Sequence, residues 1–99
     1  MIRTFWDKDL EIFFYSKGKV HVKSVPPELR KATYHKLLML NRAETLQDLR
    51  VFPSNHLEKL LGKSLRRHSI RINIRYRLIF TWKNNDAWEI EINKHDKNY

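Results

Sequence analysis

At 99 residues with a formal net charge of +9, this chain makes one small basic domain, residues 1–99, rather than an array or a multidomain enzyme. It has no cysteine, which excludes a disulfide framework and a thiolate metal site, while three Trp, four Tyr and five Phe supply bulk for a core. No apolar run approaches membrane-spanning length and the start, Met1 to Asp7, lacks a signal-peptide pattern, so a cytoplasmic protein is expected.

Ile2, Thr4 and Trp6 alternate with Arg3 and Phe5, which predicts a short first strand. Asp7 is placed to cap a helix over Lys8 to Lys17, with Leu10, Phe13 and Phe14 as its apolar stripe and Gly18 as its stop. After a connector from Val20 to Ser24, Pro26-Pro27-Glu28 has the chemistry of a helix start. That second helix is expected to reach about Asn41 or Ala43 and to bury Leu29, Ala32, Leu37, Leu38 and Leu40. Thr45 to Asp48 adds one capped turn, Arg50 to Asn55 reads as loop, and the short apolar run Leu57 to Leu61 precedes Gly62 and the basic segment Lys63 to Arg67.

From Ser69 to Phe80 the even positions are apolar, and the odd ones as far as Arg77 are polar, the period of a half-buried strand. A single strand of that length would run about 40 Å at roughly 3.3 Å per residue, so the run must turn. Keeping both halves in one facing register needs an odd loop, and Asn73-Ile74-Arg75 fits because Asn tolerates positive φ. The resulting register sets Arg71 opposite Arg77, Ile70 opposite Leu78 and His68 opposite Phe80. Facing arginines repel, so an anion such as a phosphate is expected between or near them.

A second turn at Asn84-Asn85-Asp86 leads into Ala87 to His95. Read as a three-residue loop, it pairs Trp82 with Trp88, Phe80 with Ile90, Leu78 with Ile92, Arg77 with Asn93 and Arg75 with His95. His95 is then diagonal to Arg77, roughly 7 to 8 Å away along the backbone. Arg71, Arg75, Arg77 and His95 thereby share one face, while Trp82 and Trp88 belong to the core.

Lys59 to Arg77 contains Lys59, Lys63, Arg66, Arg67, Arg71, Arg75 and Arg77 with no acid among them, a clustering suited to nucleic acid or the ribosome, with a merely solvated surface as the alternative. RNA cleavage by the internal route needs a base for the 2′-hydroxyl, cations for the pentavalent phosphate and an acid for the leaving 5′-oxygen. Arginines suit the cationic role, His95 is the best-placed proton carrier, and Tyr76, Tyr99 and Glu91 are weaker ones. No carboxylate cluster or HxxxH pair points to a metal, so no cofactor is expected; His21, His35, His56 and His68 show no ligand spacing.

The runs Leu57-Glu58-Lys59-Leu60-Leu61-Gly62, Ser69 to Phe80, and Asp86-Ala87-Trp88-Glu89-Ile90-Glu91-Ile92 resemble the HigB, or plasmid-maintenance killer, branch of the RelE-type toxins. The likeness extends to Phe5–Phe14 and the Pro26-Pro27 helix. It implies an α+β fold with two N-terminal helices packed on a twisted antiparallel sheet. It also implies an endoribonuclease that cuts messenger RNA in the ribosomal A site and is neutralised by a helix-turn-helix antitoxin. On this resemblance Arg71 and Arg77 stabilise the phosphate, Asn73 is a patterned turn residue, and His95 is the acid or base. Lys59, Lys63, Arg66, Arg67 and Arg75 would grip RNA or the ribosome. The chain departs from the family pattern at Leu61, where a lysine is usual, at Lys63, often an acid, and at His68, commonly aromatic, which leaves two options, a second imidazole at the site or merely a flat side chain kept there. The alternatives are a non-catalytic RNA- or ribosome-binding module and a DNA-binding partner of a repressor complex; no helix has a clear basic recognition face for the latter.

Overall fold

A computed structural model describes residues 1–60 and 67–94 of the chain. The second half forms an antiparallel sheet of β1 (Glu58–Lys59), β2 (Arg67–Arg71), β3 (Tyr76–Lys83) and β4 (Asp86–Lys94), side by side in that order. The first half supplies α1 (Lys8–Tyr15), α2 (Arg30–Arg42) and α3 (Leu46–Arg50), with 3-10 turns at Pro27–Leu29 and Pro53–Asn55. The α+β class is as expected, but the helix count is not. Thr45 and Asp48 cap each other's backbone in a capping box, and this extends the single expected turn into a third helix.

Each helix starts where its local chemistry allows. The Asp7 carboxylate accepts from the Leu10 amide at 3.2 Å and opens α1. Gly18, at φ 76°, donates to the Phe13 carbonyl at 2.9 Å and closes it. Pro27 fits the first turn of a 3-10 segment that tightens into α2 at Arg30. Leu10, Phe13, Leu37, Leu40 and Leu49 from the helices meet Ile70, Leu78, Phe80 and Ile90 from the even phase of the sheet in one core. Of the expected α2 positions, Leu29, Leu37 and Leu40 are buried and Ala32 and Leu38 are half-buried. The expected first strand is reduced to isolated parallel bridges, Ile2 with Ala87 and Phe5 with Ile90. Trp6 is consequently turned out, not in.

The first hairpin has the expected register: Arg71 faces Arg77, Ile70 faces Leu78 and His68 faces Phe80. Asn73 makes its turn by a different device from the one expected. It is not among the residues with positive φ; its side-chain oxygen accepts from the amides of Arg75 and Tyr76, both at 2.8 Å. Ile74 stands exposed at the tip.

The second hairpin corrects the expected loop. Lys83 pairs with Asp86, so the turn is only Asn84-Asn85, both with positive φ (54° and 61°), the type favoured by strand twist. An even loop reverses the alternation, and Trp82 faces Ala87 while Thr81 faces Trp88, in place of the Trp82–Trp88 pair. A bulge at Glu89, φ 53°, then restores it: Ile79 faces Glu91, Leu78 faces Ile92 and Arg77 faces Asn93, as the sequence pattern indicates. The last described pair is Tyr76 with Lys94. His95, Tyr99 and the expected Arg75–His95 pairing lie outside the described residues.

Replacing Asn73 by Ala removes both acceptor contacts from the turn and is expected to lower unfolding free energy by about 1–2 kcal/mol, measured by urea denaturation. The Asp86 carboxylate, hydrogen-bonded by Arg3 and by the Met1 amino group, has its pKa held below the ordinary 3.8. Because the folded state then binds this proton more weakly than the unfolded state, the contribution is complete above that ordinary value and is lost as pH falls through the lower, native one. The Tm difference between wild type and Asp86→Asn should therefore be present at pH 7 and shrink in acid below pH 3.8.

Candidate functional site

The odd phase of β2 and β3 carries Arg67, Ser69, Arg71 and Arg77 to the sheet face away from the main core. Arg71 is half-buried and directly opposite Arg77, whose side chain is only 7% exposed. A buried guanidinium needs acceptors. Arg77 Nε donates to Ser69 Oγ at 2.8 Å, and its Nη2 donates to the His56 carbonyl at 2.6 Å, with Glu58 Oε1 farther off at 3.9 Å. The opposition of two arginines is thus partly compensated within the fold, and an outside phosphate is not its sole remedy.

His56 reaches Arg77 because it ends the Pro53–Asn55 turn in the left-handed region (φ 41°, ψ 54°). Its neighbour Asn55 is fully buried, donates to the Leu49 carbonyl at 3.0 Å and accepts from Lys36 Nζ at 2.6 Å. Burial lowers the Lys36 pKa from its ordinary 10.5. The loop before β1 is therefore pinned by α2 and α3 on one side and by Arg77 on the other. Sequence pattern does not reveal His56, Ser69 or Glu58 as partners of Arg77. Ser69 shares the correct phase, but the loop and the edge strand reach Arg77 only through tertiary placement.

Other candidates divide between faces. Arg67, on the same face as Arg71, is covered by the Trp6 ring and lies along the sheet, donating to Thr81 Oγ1 at 3.1 Å, the Glu89 carbonyl at 3.0 Å and Glu91 Oε2 at 2.8 Å. It is not the solvent-facing RNA grip expected from the sequence, and Glu91 is its ion-pair partner rather than an unattached proton carrier. Lys59 is exposed, but it pairs with His68 and so belongs to the opposite phase from the arginines. His68 is buried and stacks on Phe80 with ring centroids 6.2 Å apart, in the phase opposite to the arginines, which favours the option of a flat side chain over that of a second imidazole at the site. Tyr76 packs against the core. Arg75 is exposed in the turn next to Asn73. Lys63, Arg66 and His95, with the departure at Leu61, lie outside the described residues. Among the described residues no group of three or more His, Asp or Glu could hold a metal ion, and no helix is long and apolar enough to cross a membrane.

What remains on this face is a pair of cations held at one ladder position, with Arg71 the outer member. Such a pair favours an anion with oxygens to share, because two guanidiniums offer forks of donors and keep their charge. Residues 3–95 match the family model described as RelE-like toxin of type II toxin-antitoxin system HigB. The chain is 38% identical over 95 residues to "Toxin HigB-1" of Vibrio cholerae, covering 96% of this chain and 98% of that protein. It is also 40% identical over 85 residues to an uncharacterized protein of Haemophilus influenzae, covering 86% and 83% respectively.

The two arginines are expected to differ sharply in stability. Arg77→Ala removes donors from buried Ser69 and from the His56 carbonyl and should cost about 2–3 kcal/mol, whereas Arg71→Ala should stay within about 0.5 kcal/mol, both measured by urea denaturation at pH 7.

Proposed function

This chain belongs to the HigB-like branch of the RelE-like toxins of type II toxin–antitoxin systems, and we propose that it is a ribosome-dependent endoribonuclease that cuts translated mRNA. The observation that carries this reading is the Arg71–Arg77 pair, opposed across one ladder position, which supports a phosphate contact on this face. The 2′-oxygen loses its proton and attacks the adjacent phosphorus; the bond to the 5′-oxygen breaks, and that oxygen takes up a proton. Arg71 contacts the non-bridging oxygens where negative charge grows, and Arg77 adds fixed positive charge beside it. Fixed donors need no reorganisation as charge develops, which is the advantage of holding Arg77 on Ser69 and His56. His95 is the proton carrier in this scheme, on the alternation that follows Asn93.

A toxin of this type implies an antitoxin partner; a helix-turn-helix antitoxin and the ribosomal A site with its mRNA complete the proposal. Arg75, exposed at the hairpin tip, and the basic residues Lys63 and Arg66 of the sequence supply phosphate contacts that hold the chain on ribosomal RNA. A non-catalytic ribosome-binding module is favoured by one specific observation, the internal engagement of Arg77 combined with Leu61 in place of the usual lysine.

Primer extension on a translated message separates these readings. Induced wild type is expected to yield ribosome-dependent cuts, and Arg71→Ala to reduce cutting by about 10²–10³-fold while the protein still sediments with ribosomes. Wild type that sediments with ribosomes but leaves the message intact would establish the binding module instead.

A further inference from the structure

Trp6 is 62% exposed, an unusual position for an indole, yet it is not loosely held. Its amide donates to the Ile90 carbonyl at 2.9 Å, and the next residue, Asp7, caps α1. The Arg67 guanidinium lies 4.9 Å from the ring centroid and is itself fastened to Thr81, the Glu89 carbonyl and Glu91. One side of the indole therefore rests on an immobilised cation, and much of the rest is open to solvent. A ring fixed in advance loses little freedom when a flat partner stacks on it.

Its position gives the ring a specific use. Arg67 and Arg71 stand in the same phase of β2, four positions apart, so their backbones are on the order of 13 Å apart, and the Arg67 guanidinium reaches across β3 to β4, where the indole covers it. A few nucleotides of single strand cover such a span. Two carboxylates flank this path and each faces a guanidinium: Glu91 pairs with Arg67 at 2.8 Å, and Glu58, opposite Ser69, lies 3.9 Å from Arg77, so neither repels a polyanion as an isolated acid would. We propose that Trp6, braced by Arg67, is a base-stacking platform for single-stranded RNA, receiving a base that flanks the phosphate held at Arg71. This rests on the proposed RNA-cutting function for its substrate and adds a second contact, remote from the scissile phosphate.

The test uses the full chain without its antitoxin and a short oligoadenylate, with affinity read by anisotropy of the labelled RNA and stacking by tryptophan fluorescence. Wild type is expected to show RNA-dependent quenching, and Trp6→Phe to lose that quenching while binding within about threefold of wild type, because a π-face remains. Trp6→Leu keeps apolar cover over Arg67 without a stacking face and should weaken binding about 5- to 100-fold with an unchanged circular dichroism spectrum. Equal affinity of Trp6→Leu and wild type overturns the platform. So does a Trp6→Leu variant that loses only antitoxin binding, which would make the indole a protein contact. The two proposals fail separately: weakened RNA binding by Trp6→Leu in a chain that cuts no message leaves the platform standing, whereas Arg71-dependent cutting with unaltered Trp6→Leu binding removes the platform alone.

Discussion

A guanidinium buried in a sheet is tolerable only when acceptors meet it, and the Arg77 side chain organises its surroundings on those terms. Ser69 stands on the neighbouring strand in the same phase, and the His56 carbonyl arrives from a loop turned back by a left-handed residue. That loop is in turn fastened to α2 through Lys36 and Asn55. The helical layer and the far face of the sheet are thus connected through one cation, with the core between them.

The arrangement assigns different tasks to the two opposed arginines. Arg77 supplies charge whose direction is fixed by the fold, while Arg71 is the member solvent can reach. For a site handling phosphate, such a division gives a preset field together with an adaptable contact. It also makes Arg77 ambiguous as a probe of chemistry, since its removal disturbs folding and charge together.

The first hairpin was legible because strict alternation on both sides of Asn73 admits only one register that keeps Ile70 and Leu78 on the same face. The second was not. Asn84, Asn85 and Asp86 suit either a two- or a three-residue turn, and a bulge at Glu89 leaves no mark in residue type, since glutamate carries no preference for positive φ. Arg67 looked like one more cation in an acid-free run because its acceptors, Thr81, Glu89 and Glu91, come from later strands. The phase of Lys59 was not legible for a related reason: nothing in a two-residue edge strand announces it. The opposition of Arg71 and Arg77 itself followed directly from periodicity.

The bulge at Glu89 links matters that lie far apart in the chain. It exists because the Asn84-Asn85 turn is even, and by adding a residue to β4 it turns a carbonyl toward Arg67 and leaves the Glu89 amide for the Thr4 hydroxyl. A turn one residue longer could pair without a bulge, but that carbonyl would return to the ladder, and the bed on which the Trp6 indole lies would lose one of its supports. The length of a loop at one end of the sheet therefore governs the texture of the surface at its middle, so relatives that differ there by a single inserted residue would differ in what their faces can hold even with every arginine in place.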